Sequence, residues 1–179
     1  VLCVGQAGGR SKITSEFVGI NWAHARIPDN AGKQPLSQRI IDGAPDAYFA
    51  SLPVNAMVAA MNQVEIPAAV SYTAGTYVCN DVMYQVLHAL ATRFPETRGT
   101  FLHVPFATEQ VVKKNAAAAE KGLAAGEKAA AGEKAGAGEK TRQVPSMSLE
   151  MMTRGLQVAL EAALANDVDL ADSESGTTC

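Results

Sequence analysis

The sequence has no apolar run that approaches the roughly 20 residues needed to cross a bilayer, so no membrane anchoring is expected. It opens without the basic flank or cleavage site of a signal peptide. Basic residues are not in excess, since 15 Lys and Arg stand beside 18 Asp and Glu, for a formal net charge of -3. Without a basic face or arm, nucleic acid is not an expected partner either.

Cysteine is scarce, with Cys3, Cys79 and Cys179 spaced widely along the chain. An odd number at wide spacing is not the pattern of a disulfide framework. Free thiols are typical of a reducing compartment, so a cytoplasmic location is expected. No close spacing of Cys and His marks a zinc site.

The chain does not begin with Met, and residues 1–4 form an apolar run that ends at Gly5. This run is typical of a buried strand. Because a domain rarely starts on a buried strand, we expect a fragment that lacks its natural N-terminus.

The 179 residues, 47% hydrophobic and 18% charged, suit one globular domain. Short apolar runs predict strands at residues 1–4, 17–22, 67–72 and 100–104, and the stretch before Leu52 is expected to be irregular. Helical periodicity follows Pro53, follows Cys79 and covers residues 148–165. Strands that alternate with helices favour an α/β protein, and continuously apolar strands indicate a sheet covered on both faces. The predicted fold is a three-layer α/β/α sandwich around a mostly parallel, twisted sheet.

Each predicted helix has an apolar stripe at helical spacing. The stripes comprise Val54, Met57, Val58 and Met61 in the first helix, Val82, Met83, Val86, Leu87 and Leu90 in the second, and Leu149, Met152, Leu156, Leu160 and Leu164 in the last.

Residues 116–140 are of low complexity and repeat an Ala/Gly-Glu-Lys unit of six residues. The segment has almost no side chain able to bury surface, so a frayed helix or a solvated spacer is expected, and a partner-binding role is the alternative. Residues 166–179 are polar and are expected to be a disordered tail. The predicted organisation is one domain over residues 1–165, interrupted by this insert.

Cys79 lies between a predicted strand-turn and the second helix, which places its sulfur at a helix N-terminus. The positive end of the helix dipole favours a thiolate and would lower the pKa of this cysteine. Cys79 is therefore a candidate nucleophile, and free backbone N–H groups beside it could stabilise an oxyanion. The alternative is a buried structural cysteine.

His103 stands at the far end of a predicted strand, where open α/β sheets carry their active sites. It can serve as the base for a thiol, or it can be a hydrogen-bonded core histidine. Glu16 is the best candidate for the group that orients the imidazole, although a solvated loop carboxylate is the alternative. The glycine-rich residues 6–10 (QAGGR) lack the spacing of a phosphate-binding motif.

Two long motifs carry a resemblance to a known family. Residues 5–10 (GQAGGR) with 13–16 (ITSE) resemble the glutamate motif of pyroglutamyl peptidase I, and residues 70–80 (VSYTAGTYVCN) resemble its cysteine motif. Three further segments, at residues 25–30, 102–106 and 145–149, are similar to other segments of the family and occur in the same order.

This resemblance implies a cysteine omega-peptidase that removes N-terminal pyroglutamyl residues from peptides through a triad of Cys79, His103 and Glu16. It implies that Arg26 assists at the oxyanion and that the lactam pocket is lined by Gln6, Ile27, Tyr77 and Val78. It also implies pyroglutamyl peptides as the partner, no metal or cofactor, and a homo-oligomer, which is a tetramer in the family. The family's N-terminal Gly-Phe-Glu-Pro-Phe-Gly-Gly motif is not in the sequence, so we expect weak stability and activity.

Three other readings stay open at this point. The chain could be a catalytically inactive fragment or pseudoenzyme that acts as an interaction module. It could bind a metal through Cys79, His103 and Glu16. Nucleoside phosphorylases share the architecture by analogy, but their chemistry does not require this set of residues.

Overall fold

The computed structural model describes residues 1–129 and 144–171. Within these residues the secondary structure consists of eight strands and four helices. The strands are β1 Leu2–Gln6, β2 Ile13–Glu16, β3 Val18–Ile20, β4 Ala47–Phe49, β5 Ala68–Ser71, β6 Thr100–Val104, β7 Phe106–Ala107 and β8 Ser146–Met147. The helices are α1 Val54–Gln63, α2 Val78–Arg93, α3 Thr108–Ala129 and α4 Leu149–Ala165.

The main sheet has four strands in the order β1-β6-β2-β5. β1 pairs with β6 in parallel, and β2 pairs with β5 in parallel. The central pair, β6 and β2, is antiparallel, with Thr14 opposite His103 and Glu16 opposite Phe101. Two of the three pairings are thus parallel, and the predicted mostly parallel sheet is confirmed.

Helices cover both faces of this sheet. Successive side chains of a strand point to opposite faces, so each central strand contributes residues to the packing on both sides. On one face, Ile13, Ala68 and Leu102 pack with residues of α1 and α4. On the other face, Phe101 packs with Met83 and other residues of α2. The predicted three-layer arrangement is confirmed, and the α2 face is the one that carries the candidate catalytic residues.

Helix α4 packs through small side chains rather than through its leucines. Its buried residues are Met152, Gly155, Ala159 and Ala163. A Cβ atom on Gly155 would lie 2.5 Å from the Cδ1 atom of Ile13, so a larger residue here would require the buried Ile13 side chain to shift.

The predicted apolar face of α4 was therefore wrong at three positions. Leu149, Leu160 and Leu164 are 60%, 45% and 75% exposed. The reason is that close packing against α1 and β2 rotates the small-residue stripe inward and leaves these larger side chains outside. In α1 and α2 the predicted stripes are largely buried, with Val82 exposed.

Several strands differ from the sequence-based prediction. β1 forms, but it lies at the sheet edge and Val4 is 48% exposed, so it is not the buried strand that was expected. β4 lies in the stretch expected to be irregular, where it pairs with β3. β7 and β8 are two residues each, which is too short for any periodicity to appear.

The first part of the 116–140 insert lies in α3, and residues 130–143 lie outside the described part of the chain. Of the expected tail, residues 166–171 are described. The carboxylate of Asp169 accepts hydrogen bonds from the backbone N–H groups of Asn55 and Ala56, at 3.1 and 3.0 Å. It therefore caps α1, whose own N-cap residue, Pro53, makes no side-chain cap. Residues 172–179 lie outside the described residues.

Candidate active site

Glu16 is the last residue of β2 and is fully buried at 0% exposure. Its Oε1 atom lies 2.7 Å from the Nδ1 atom of His103, on the neighbouring strand β6. The hydroxyl of Thr14 donates to the same oxygen at 3.2 Å. Glu16 was predicted to precede a strand, and the solvated loop carboxylate offered as an alternative is wrong, because the residue is inside the sheet. The structure thus brings Glu16 and His103 into direct contact.

Arg10 is a second partner of Glu16 that the sequence-based reasoning missed. It ends the glycine-rich turn after β1, in which Gly9 has a φ of 99° that favours glycine. Its Nη1 atom donates to Oε1 of Glu16 at 2.6 Å and also to the hydroxyl of Thr14, and Nη2 donates to the carbonyl of Thr73 at 3.4 Å. The glycine-rich turn therefore orients Arg10 toward the buried carboxylate of Glu16. In the sequence, the sign of this contact was the arginine that directly follows the two glycines.

The net effect of these contacts is to keep Glu16 ionised. Burial alone raises the pKa of the Glu16 carboxyl, but the hydrogen bonds of His103 and Arg10, the nearby hydroxyl of Ser71 and the charge of Arg10 outweigh it. The pKa of Glu16 is therefore held below its usual value. An ionised carboxylate on Nδ1 fixes the orientation of the imidazole and stabilises its protonated form.

His103 is 3% exposed and packs against the ring of Phe101, with ring centroids 4.9 Å apart. Because Nδ1 is engaged by Glu16, the nitrogen left to accept a proton is Nε2. The imidazole is therefore held in the tautomer that a general base requires.

Cys79 is the second residue of α2, as the sequence predicted. The N-cap residue of this helix, Tyr77, makes no side-chain hydrogen bond to the first turn, so N–H groups beside the cysteine stay uncapped. The thiol packs against the cluster that contains Phe101, and a Cβ atom built on Gly5 would lie 3.2 Å from its Sγ atom. Gly5 stands opposite His103 in the pairing of β1 with β6, so the sulfur lies beside the part of β1 that pairs with the histidine.

The expected lowering of the cysteine pKa by the helix N-terminus was wrong in direction. Burial raises the pKa of the Cys79 thiol, the nearby charge of Glu16 raises it further, and only Arg10 opposes them. The protonated thiol is therefore the resting form at neutral pH, so as a nucleophile it would need a base to take its proton.

Asn80 fixes the start of α2 and was not identified from the sequence. It is 1% exposed, accepts from the backbone N–H of Ile20 at 2.9 Å, and donates to the carbonyls of Ile20 and Trp22 at 2.9 and 3.1 Å. These bonds tie the cysteine-bearing turn to β3.

Three of the predicted lactam-binding residues lie around the start of α2. Tyr77 and Val78 are its N-cap and first residues, and both are partly exposed. The hydroxyl of Tyr77 donates to the carbonyl of Pro28 at 3.2 Å, which brings the loop of the 63% exposed Ile27 to this point. A cavity of about 560 Å³ includes Tyr77 and Val78 in its lining. The fourth residue, Gln6, ends β1 and donates to the side chain of Gln110 at 2.7 Å.

Arg26 stands apart from the triad in this structure. It is exposed, and no hydrogen bond or ion pair within residues 1–129 and 144–171 joins it to Cys79, His103 or Glu16. Its place in the same loop as Ile27 puts it near the start of α2. The oxyanion role stays a prediction.

Within the part of the chain that the structure describes, no group of three His, Cys, Asp or Glu side chains is arranged to hold a metal ion. Nor does any helix there have the length and apolarity for a membrane span. Cys3 and Cys79 are free thiols.

A three-layer α/β/α fold with a cysteine at a helix N-terminus and a buried His–Glu pair on adjacent strands fits the class of cysteine hydrolases. The model of the pyroglutamyl peptidase family, peptidase family C15, matches residues 1–137. The chain belongs to the pyroglutamyl peptidase family.

Curated relatives and solved structures agree with this assignment. The pyrrolidone-carboxylate peptidase of Enterococcus faecalis is 43% identical over 178 residues, which cover 99% of this chain and 70% of that protein. The pyrrolidone-carboxylate peptidase of Streptomyces coelicolor is 58% identical over 118 residues, covering 66% of this chain and 55% of that protein. The crystal structure of pyroglutamyl peptidase I from Bacillus amyloliquefaciens superposes with a TM-score of 0.78 at 37% identity, over 96% of this chain and 69% of that one. The chain thus spans between 55% and 70% of the length of these relatives. The resemblance and the fold class inferred from the sequence are confirmed.

Proposed function

We propose that this chain carries the catalytic residues of a cysteine peptidase that hydrolyses the amide bond after an N-terminal pyroglutamyl residue. Its relatives are named as pyrrolidone-carboxylate peptidases, and the family model covers residues 1–137. The observation that carries the proposal is the contact between Glu16 and His103, whose Oε1 and Nδ1 atoms lie 2.7 Å apart. Cys79 lies beside Gly5, the residue of β1 that stands opposite His103.

The first half of the reaction forms a thioester. Nε2 of His103 takes the proton of the Cys79 thiol, and Sγ attacks the carbonyl carbon of the pyroglutamyl residue. The oxygen becomes an oxyanion, which the uncapped N–H groups at the start of α2 are placed to stabilise. His103 then gives the proton to the leaving nitrogen, the C–N bond breaks, and the pyroglutamyl group stays on sulfur.

The second half of the reaction releases free pyroglutamate. Nε2 of His103 takes a proton from water, the resulting hydroxide attacks the thioester carbonyl, and the C–S bond breaks. The proton returns to the sulfur, which restores the thiol. Glu16 stays ionised throughout and holds the imidazole on the same tautomer in both halves.

The raised pKa of Cys79 explains why this site depends on its histidine. With the thiol buried and a carboxylate near it, few molecules hold a thiolate at neutral pH. Proton transfer to His103 must therefore accompany the attack, and the carboxylate of Glu16 compensates the positive charge that forms on the imidazole.

The lactam ring is proposed to bind at the start of α2. Ile27, Tyr77 and Val78 present partly exposed apolar side chains there, and the Tyr77–Pro28 hydrogen bond holds their loop and helix together. Such a slot suits a flat ring whose N–H and C=O groups pair with a few polar groups. Gln6 and Arg26 are proposed as further contacts, with Arg26 near the oxyanion.

The experiment is hydrolysis of a pyroglutamyl-aminocoumarin by the purified chain and by Cys79→Ala. The matched substrate control is prolyl-aminocoumarin, which has the five-membered ring without its carbonyl. Cleavage of the first substrate alone, lost in Cys79→Ala, supports the proposal. A folded chain that cleaves neither, or that keeps its activity in Cys79→Ala, contradicts it.

We also infer that the protein works in the cytoplasm as a homo-oligomer. Support for the location is the free thiols of Cys3 and Cys79, which a reducing compartment maintains.

Support for assembly is the row of exposed leucines on α4, at Leu149, Leu160 and Leu164. Sedimentation of the purified protein as a monomer would contradict the oligomer.

A further inference from the structure

The guanidinium of Arg10 and the imidazole of His103 bind the same carboxylate oxygen. Oε1 of Glu16 accepts from Arg10 Nη1 at 2.6 Å and lies 2.7 Å from Nδ1 of His103. The second nitrogen of Arg10 reaches the carbonyl of Thr73, so the guanidinium bridges the turn after β1 and the turn after β5. The side chain of Arg10 is 31% exposed and that of Glu16 is fully buried.

A buried carboxylate without a cation carries a large desolvation penalty, and it takes up a proton readily. In this site the carboxylate also faces an imidazole that must be neutral before each attack. A positive charge on the same oxygen favours the ionised carboxylate, which keeps its hold on the imidazole. Arg10 is thus placed to act on the base without touching substrate.

We propose that Arg10 is a positioning residue that clamps Glu16 against His103 and keeps this carboxylate in the ionised form in which it holds the imidazole as a base. This inference rests on the proposed function, in which that pair deprotonates Cys79.

The other groups that face the pair do not supply this charge. Cys79 of α2 is a neutral thiol at rest, Ser71 of β5 presents a hydroxyl, and Cys3 of β1 packs on the same cluster further along its strand. Among the described residues around Glu16, Arg10 is the permanent cation. Removing it leaves the pair with a carboxylate whose charge only His103 can balance.

The pH dependence of kcat/KM tests the proposal, since a purely structural role would lower activity without moving the profile. Arg10→Gln is expected to lower the plateau and to move the acid limb upward by about one pH unit, equal to a tenfold loss at a fixed pH on that limb. Arg10→Lys keeps the charge, so its acid limb stays in place while its plateau drops. Arg93→Gln, on the exposed last turn of α2, removes the same charge away from the site and should match the parent protein.

A second readout needs no turnover. Iodoacetamide alkylates Cys79 when its thiolate displaces iodide, and mass spectrometry of the peptide that contains Cys79 separates this from reaction at Cys3 or Cys179. The pH at which alkylation accelerates should rise in Arg10→Gln, because the charge of Arg10 also lowers the pKa of the Cys79 thiol, and should stay unchanged in Arg93→Gln. If Arg10→Gln loses its fold, Arg10→Met is the second neutral variant, since its unbranched stem keeps the packing.

These readouts separate this inference from the proposed function. An alkylation profile that shifts in the neutral variants shows that the charge of Arg10 acts on the site even if the chain does not hydrolyse a pyroglutamyl substrate, and an acid limb of kcat/KM that moves with it assigns that charge to the Glu16–His103 pair. Profiles of folded Arg10→Gln and Arg10→Met that coincide with the parent profile overturn it, whatever the peptidase activity.

Discussion

The Nδ1 atom of His103 lies 2.7 Å from Oε1 of Glu16, across the one antiparallel pairing of the main sheet. In this pairing Thr14 stands opposite His103 and Glu16 opposite Phe101, so the side chains of Glu16 and His103 share a face and meet diagonally. The orientation of the imidazole is therefore set by strand register. A site held by register has little freedom to lose its geometry when the loops around it move.

Glu16→Gln tests this relationship. The glutamine amide keeps the shape of the glutamate side chain but carries no charge. The imidazolium that forms on His103 in the transition state therefore loses its counter-charge, and the tautomer of His103 is no longer fixed. We expect kcat to fall by roughly 10²–10⁴-fold with a small change in KM. Steady-state kinetics on a pyroglutamyl-aminocoumarin would measure this, and an unchanged kcat in a folded variant would contradict the role.

Glu16 should also make the fold sensitive to acid. Burial raises the pKa of its carboxyl, but the contacts of His103, Ser71 and Arg10 hold it below the ordinary value of 4.5. Because the folded value is lowered, the carboxylate stabilises the fold above the unfolded pKa, and this contribution is lost as the pH falls through the folded pKa. Urea midpoints measured between about pH 6 and pH 3 should therefore fall more steeply in the parent protein than in Glu16→Gln. Equal slopes would show that the contacts of Glu16 do not affect its pKa.

The sequence was sufficient for the outline of the fold and for the catalytic candidates. The 3.6-residue period of Met57 and Met61 in α1, and of Met83 and Leu87 in α2, matches the buried faces of those helices. Cys79 was placed at a helix N-terminus because a strand-turn precedes a strong stripe, and that placement is confirmed.

What the sequence could not show depends on tertiary contacts. Residues 14–16 are polar, so the sequence did not predict a strand there. They can be buried because Arg10 and His103, from other parts of the chain, pair with the Glu16 carboxylate. Helix α4 was rotated by the close fit of Gly155 on Ile13, which outweighs the hydrophobicity of its leucines. The pKa of Cys79 was wrong in direction because the burial of the thiol and its distance from Glu16 are properties of the fold.

Gly5 is expected to be required beside Cys79, the proposed nucleophile. A Cβ atom at this position would lie 2.7 Å from the ring of Phe101 and 3.2 Å from Sγ of Cys79. Gly5→Ala should therefore displace the sulfur and lower kcat by about 10²-fold, and overpacking should reduce the free energy of unfolding by about 1–3 kcal/mol. Kinetics and urea unfolding of the same preparation measure both effects.

The double variant Gly5→Ala with Phe101→Leu separates the two contacts. The smaller side chain relieves the ring contact, so part of the stability should return, while the new methyl group still crowds the sulfur and activity should stay low. Recovery of full activity in the double variant would show that Gly5 serves only the packing of Phe101.

The identity of the covalent intermediate tests the central claim most directly. The purified chain is mixed with an activated pyroglutamyl ester, quenched in acid within the first turnover, digested and analysed by mass spectrometry. We predict a pyroglutamyl thioester on the peptide that contains Cys79, and no such adduct in Cys79→Ala. An adduct on Cys3 or Cys179, or turnover without any thioester, would contradict the claim that Cys79 is the nucleophile.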